Sequence, residues 1–120
     1  MIEIQNKKPY DLEKRTLEYA KDIVKFCKKM PNNSINMRLI GQLVGAAGSV
    51  GANYREANEA LSKKDFVHRM KITRKEAKES SYWLELIMEA NPGYENEAKM
   101  LYNESRELRN IFTSIIEKAK

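Results

Sequence analysis

Catalysis or metal binding on helices needs ligands, acids or nucleophiles at steps that bring them to one face. The sequence offers few such groups. His68 is the sole histidine and Cys27 the sole cysteine of 120 residues. Asp65 and His68 have the acid-x-x-His spacing found in di-metal bundles, but such a centre uses that pair on each of two helices, and the second histidine does not exist. A lone imidazole gives equally little support to a Ser-His or Cys-His nucleophile. Cys27 follows Ile23 and Val24 by one turn, which marks it as a core thiol rather than a reactive one, and it has no internal disulfide partner. No metal, cofactor or catalytic set is expected, and the chain is not read as an enzyme.

Charge is the stronger signal. Lys and Arg exceed Asp and Glu by five over the whole chain. Between Lys63 and Lys78 seven basic residues stand with two acids, Asp65 and Glu76, so this short stretch holds an excess equal to that of the entire protein. Lys64, His68, Lys71, Lys75 and Lys78 recur at steps of four, three, four and three, on the side opposite the apolar row that runs from Phe66 to Ile87, with Arg74 beside them. A helix that carries an apolar stripe and a separate basic stripe presents a line of cations suited to phosphate backbones. The plain alternative is a solvated outer face, although such faces usually mix signs more evenly. Tyr82 and Trp83 follow the basic stretch, and Tyr54 and Arg55 end the segment before it; these aromatics either stack exposed bases or fill bundle edges and subunit contacts.

The elements that must hold these residues are helical. Proline-bearing breaks at Lys8-Pro9-Tyr10-Asp11, Met30-Pro31-Asn32-Asn33-Ser34 and Asn91-Pro92-Gly93, with a further break near Ala60-Leu61-Ser62, divide the chain into four segments. The first, about 11–29, places Leu17, Ala20, Val24 and Cys27 on one face. The second, about 36–60, has Ile40, Leu43, Ala47, Val50 and Tyr54 as its apolar row. The third opens with the capping sequence Ser62-Lys63-Lys64-Asp65 and continues through Phe66, Met70, Thr73, Ala77, Ser80, Leu84 and Ile87. The fourth, about 95–120, repeats the pattern with Ala98, Leu101, Ser105, Leu108, Phe112, Ile115 and Ala119. No segment alternates as a strand does, so the expected fold is all-α: one antiparallel up-down four-helix bundle over 1–120, with 1–10 as a flexible lead.

Within the second segment Gly41, Gly45, Gly48 and Ala52 form a small-residue row, and Gly51 brings the glycines to four within eleven residues. Each costs about 1 kcal/mol relative to alanine inside a helix. Close approach of another backbone, inside the bundle or across a subunit interface, can offset that cost; approach of a ligand is the other option. These glycines sit in a helical pattern and lack the order of a phosphate-binding loop. The uncharged run Leu39 to Tyr54 is too short and too polar for a membrane span and is read as a buried helix. Residues 1–10 carry Lys7 and Lys8 without a following apolar stretch, so no export signal is expected and the location is taken as cytoplasmic.

The segment Gln42-Leu43-Val44-Gly45-Ala46-Ala47-Gly48-Ser49-Val50-Gly51-Ala52-Asn53-Tyr54-Arg55-Glu56, followed by Ser62-Lys63-Lys64-Asp65-Phe66 and Ile72-Thr73-Arg74-Lys75-Glu76-Ala77-Lys78-Glu79-Ser80, resembles the four-helix-bundle proteins encoded in intervening sequences of 23S rRNA genes. The resemblance spans about Leu17 to Ala90. It implies a bundle that assembles with itself as a ring, a pentamer in some relatives. A related branch, the accessory proteins of diversity-generating retroelements, binds nucleic acid and a reverse transcriptase through such a ring. The partners implied are therefore a second copy, RNA or DNA, and by analogy a reverse transcriptase. Val44 and Gly45 stand where relatives often carry arginines, and Glu76 and Ala77 replace a Gly-Ser pair, which shifts the expected nucleic-acid contact to the third segment. Gln42, Ser49, Asn53 and Glu56 match polar positions of the motif; they line a pore or hold a ligand, or they fix helix register, with Glu56 pairing to an arginine.

Two functions follow. One is an oligomeric bundle binding RNA or single-stranded nucleic acid through Lys64, His68, Lys71, Arg74, Lys75 and Lys78. The other is a scaffold that assembles through Gly41, Gly45, Gly48, Ala52, Asn53 and Trp83 without nucleic acid.

Overall fold

The structure is a computed structural model that describes residues 11–120. The lead expected over 1–10, with its Pro9 break, lies outside the described residues. Four helices follow in order: α1 (Leu12–Cys27), α2 (Ser34–Asn58), α3 (Lys63–Ala90) and α4 (Glu95–Ala119), with one 3-10 turn, Pro92–Tyr94, before the last. Local chemistry sets their ends. The Asn33 side chain accepts from the Asn36 amide at 2.8 Å, and Ser62 Oγ accepts from the Asp65 amide at 3.0 Å, so each starts a helix by satisfying an amide that has no intrahelical partner. Pro92 then stops α3 by favouring extended backbone at Asn91.

Side-chain pairs give the direction of each neighbour. Glu13 and Thr16 at the start of α1 meet Asn58 and Gly51 near the end of α2. Asn36 at the start of α2 meets Asn91 at the end of α3. Arg74 and Ser81 of α3 meet Thr113 and Ser105 of α4, and Arg15 of α1 and Lys29 just past its end meet Glu104 and Glu97 of α4. Between α1 and α2, α3 and α4, and α1 and α4 the numbers rise on one helix as they fall on the other, and the start of α2 meets the end of α3, so adjacent helices run antiparallel.

The core follows the expected seams on α2, α3 and most of α4. Leu43, Ala47, Val50, Met70, Ala77, Leu84, Ile87, Ala98, Leu108 and Phe112 are buried, and Tyr54 stacks on Phe112 with ring centroids 6.2 Å apart. In the last turns of α4 the inward residue is Ile116 rather than Ile115, which is half-buried. Polar seam residues are satisfied within their own helices. Thr73, Ser80 and Ser81 donate to the carbonyls four residues back, and Ser81 Oγ lies 2.6 Å from Ser105 Oγ across the α3–α4 contact.

The first helix differs from the expected face. Leu17 and Val24 are 41% and 44% exposed, while Leu12, Thr16, Tyr19, Ile23 and Phe26 turn inward. Both rows have helical spacing, and the inner one carries the larger rings; Leu17 and Val24 lose because two aromatic side chains remove more apolar surface from water. Cys27 is buried as expected, and burial pushes its thiol up to about 11.

One pairing was not anticipated. Asn36 and Asn91 exchange reciprocal amide hydrogen bonds of 2.9 Å in a buried site, where Asn36 also donates to Pro31 O and Asn91 to Ile87 O. These residues resemble ordinary caps in sequence. In space they tie the α1–α2 turn to the α3–α4 turn.

Two outcomes test this packing. Ile23→Ala should cost about 2–5 kcal/mol in urea unfolding, whereas Val24→Ala should cost less than about 1 kcal/mol, because only the first empties a buried site. Tyr19 is 2% exposed, and its hydroxyl forms no hydrogen bond although Ser80 and Ser105 are close; burial pushes its pKa up to about 12. A phenol ionises near 10 in the unfolded chain. Between pH 10 and about 12 the unfolded state therefore loses a proton that the folded state keeps, and stability falls as pH rises. Tyr19→Phe should flatten that decline and leave stability at neutral pH unchanged or raised by about 1 kcal/mol, since it removes an unpaired buried hydroxyl.

Candidate nucleic-acid interface

Residues on α3 that follow the seam by one step face α4, and those further round face solvent. Lys71, Arg74 and Lys78 occupy the α4 edge, with Lys75 at its rim. Across from them α4 places Arg109 and Thr113, each one step past the buried Leu108 or Phe112, with Asn110 between them. Together the seven line a surface groove of about 570 Å³. The Arg74 guanidinium donates to Thr113 Oγ1 at 3.4 Å, and Thr113 itself is anchored to the Arg109 carbonyl at 3.1 Å. Arg109 donates to Asn110 Oδ1 at 3.4 Å.

Little neutralises these charges. Among the described residues, Lys71, Arg74, Lys78 and Arg109 form no ion pair, and Lys75 has only Glu79 at 3.9 Å with both groups exposed. An exposed pair of that length contributes little. Glu76 does not face the groove lining; burial pushes its carboxyl up, Glu79 adds to the rise and Lys75 opposes it. Toward the α3 N-terminus a second groove, about 580 Å³, is lined by Lys63, Lys64, Val67, His68, Lys71, Ala119 and Lys120. Lys71 belongs to both grooves.

The structure thus gathers all six basic residues singled out in the sequence, Lys64, His68, Lys71, Arg74, Lys75 and Lys78, along one seam. It adds Arg109 and Lys120, which sequence reasoning missed. Their signal was present: Arg109 and Thr113 flank the fourth apolar row at its edge. Which neighbour that edge meets depends on the handed order of the helices, which periodicity does not encode.

The other candidates separate. Tyr54 is core, packed on Phe112, and stacks no base. Tyr82 is 57% exposed and Trp83 half-buried, in edge contact at 5.1 Å, and neither lines the basic grooves. Gly41, Gly45 and Gly48 lie open on the outer side of α2, where a methyl added to any of them meets nothing within 4 Å; Ala52 is likewise exposed. Close packing inside the bundle therefore does not explain them. It does explain Gly51, whose added methyl would come within 3.0 Å of Thr16 Oγ1. The uncharged run is accordingly a helix with one buried and one open face rather than a buried helix. Asn53 is half-buried and donates to Ser49 O of its own helix at 2.9 Å, and Glu56 forms no ion pair among the described residues, so this polar set does not fix register against a neighbour. No group of three or more possible metal ligands occurs among the described residues, and no helix there is long and apolar enough to cross a membrane.

An all-helical bundle with one cation-lined seam defines the class. Residues 8–114 match the family of 23S rRNA-intervening sequence proteins, and the chain belongs to that family. A solved structure of a protein with unknown function from the S23 ribosomal protein family of Bacteroides thetaiotaomicron is similar at 34% identity and a TM-score of 0.79, covering 87% of this chain and 96% of that one. No curated protein matches the sequence.

Proposed function

We propose that this protein binds nucleic acid, RNA or single strands included, through the phosphate backbone at the α3–α4 seam. The convergence of Arg109 with Lys71, Arg74, Lys75 and Lys78 in one groove carries the reading. Cations on two helices that point into a shared groove raise the local potential more than the same charges spread over a solvated face, and a phosphate chain is the polyanion whose charge spacing such a line suits. Arg adds a planar donor fork for phosphate oxygens, while the lysines act as point charges.

Bound phosphates release counterions, so log K should fall with log salt by about 0.7 to 0.9 per phosphate neutralised. In an anisotropy titration with a labelled RNA, Lys71→Gln combined with Lys78→Gln should flatten that slope by about 1.4 to 1.8. Binding that is absent at low salt, or a slope identical in the variant, would exclude the seam.

The open glycine row supports a second property, self-association through the outer face of α2. Gly41, Gly45 and Gly48 are exposed in the single chain, and the neighbouring faces leave Leu17, Val24 and Met37 exposed as well. A second backbone settling on that row would offset the helix cost of glycines that no intrachain contact requires. Gly45→Ala with Gly48→Ala should leave the fold as stable or more stable by about 1 kcal/mol per site, yet shift sedimentation toward smaller species on dilution. Native protein that sediments as a monomer at every concentration would sink this idea.

A further inference from the structure

The α3–α4 seam does not stay basic along its length. Beyond Lys78 and Arg109 the same pair of helices forms a third groove, about 290 Å³, lined by Glu85, Met88, Glu89, Glu95, Lys99 and Tyr102. Three carboxylates face one ammonium there. Glu85 follows Lys78 by seven residues, about 10 Å along the helix, so the sign of the seam reverses within two turns. That distance is close to one Debye length at 0.1 M salt, so the two halves act as separate fields.

We propose that this reversal is an end-stop: a bound strand lies along the basic half with its phosphates inward and leaves the seam before Glu85, so one chain holds a short stretch of fixed length. The inference rests on nucleic-acid binding at the seam and adds its extent and orientation. From Lys63 to Lys78 the track is fifteen residues, about 22 Å. A base-stacked strand whose phosphates rise about 3.4 Å apiece, as each strand of a duplex does, places about six or seven on it, and a more extended strand fewer. Among the described residues no aromatic ring lines either basic groove, so bases gain nothing from them by turning inward and recognition is of the backbone. The aromatic side chain in the seam, Tyr102, belongs to the acidic half, where Arg106 and Lys99 lie over its ring at 5.7 and 5.0 Å.

The test compares the native protein with Glu85→Gln combined with Glu89→Gln, using single-stranded homopolymers of 5 and 15 nucleotides at 0.1 M salt. The acid-to-amide variant should bind the 15-mer several-fold more tightly with a steeper salt slope, because the strand then continues past Lys78, and should bind the 5-mer as the native protein does. Equal gains for both lengths would show a diffuse charge effect and overturn the end-stop while leaving seam binding intact. No gain for either length would overturn it in the same way. Failure of the native protein to bind either strand at low salt would overturn seam binding and the end-stop together. Circular dichroism melting of the variant guards against a folding artefact, since both side chains are exposed and form no hydrogen bond or ion pair among the described residues.

Discussion

Everything in this molecule depends on α3 being packed on two sides at once, against α2 and against α4. A helix in that position has to turn a wide arc inward, and α3 does so with a central block of small and weakly polar residues, Thr73, Ala77, Ser80 and Ser81, between Met70 on one side and Leu84 and Ile87 on the other. The hydroxyls bond to carbonyls of their own helix or to Ser105, so they leave no orphaned polar group and permit α4 to approach closely. Closeness has an electrostatic consequence. Because the seam is tight, Arg74 and Arg109 border one groove rather than two separate surfaces, and Thr113 links them through its hydroxyl and the Arg109 carbonyl.

The remaining helix closes the bundle from the other side. Arg15 of α1 sets its Nε and Nη2 against the two carboxylate oxygens of Glu104, each at 2.8 Å, and Nη2 also reaches Glu107. The hydrogen bond to Glu104 holds the guanidinium above its usual range, with burial opposing. These side chains are about a third exposed, so solvent screens the pair and its chief effect is to fix where α1 meets α4 rather than to stabilise the fold strongly. Across α1 the contact with α2 is set differently, by Thr16 against the bare Cα of Gly51. A glycine thus serves helix packing at position 51, while Gly41, Gly45 and Gly48 stay exposed on the outer side of α2.

The seam and the glycine row lie on different sides of the bundle, the first between α3 and α4, the second on the outside of α2. The proposed nucleic-acid binding and the proposed self-association would therefore not compete for surface. Assembly through α2 would repeat the basic seam around an oligomer, and a seam that held only a short stretch of strand, as proposed above, would gain most from such repetition, because linked weak sites raise overall affinity without new contacts. The charge reversal at Glu85 and the outward glycines are in this sense complementary features of one architecture.

The sequence by itself determined the four helices, the cap at Ser62, the apolar rows of α2, α3 and most of α4, and the concentration of charge between Lys63 and Lys78. Each of these is a local property, fixed by periodicity, by propensity or by a side chain reaching three residues along. Tertiary structure alone decided which of two competing rows of α1 faced inward, that Asn36 and Asn91 meet, that only Gly51 among the four glycines is needed for packing, and that Arg109 and Lys120 join the basic line. All four are meetings between residues distant in the chain. Helical spacing tells which residues share a face, but not which neighbour that face will find, since that is set by the competition of all the faces for burial at once.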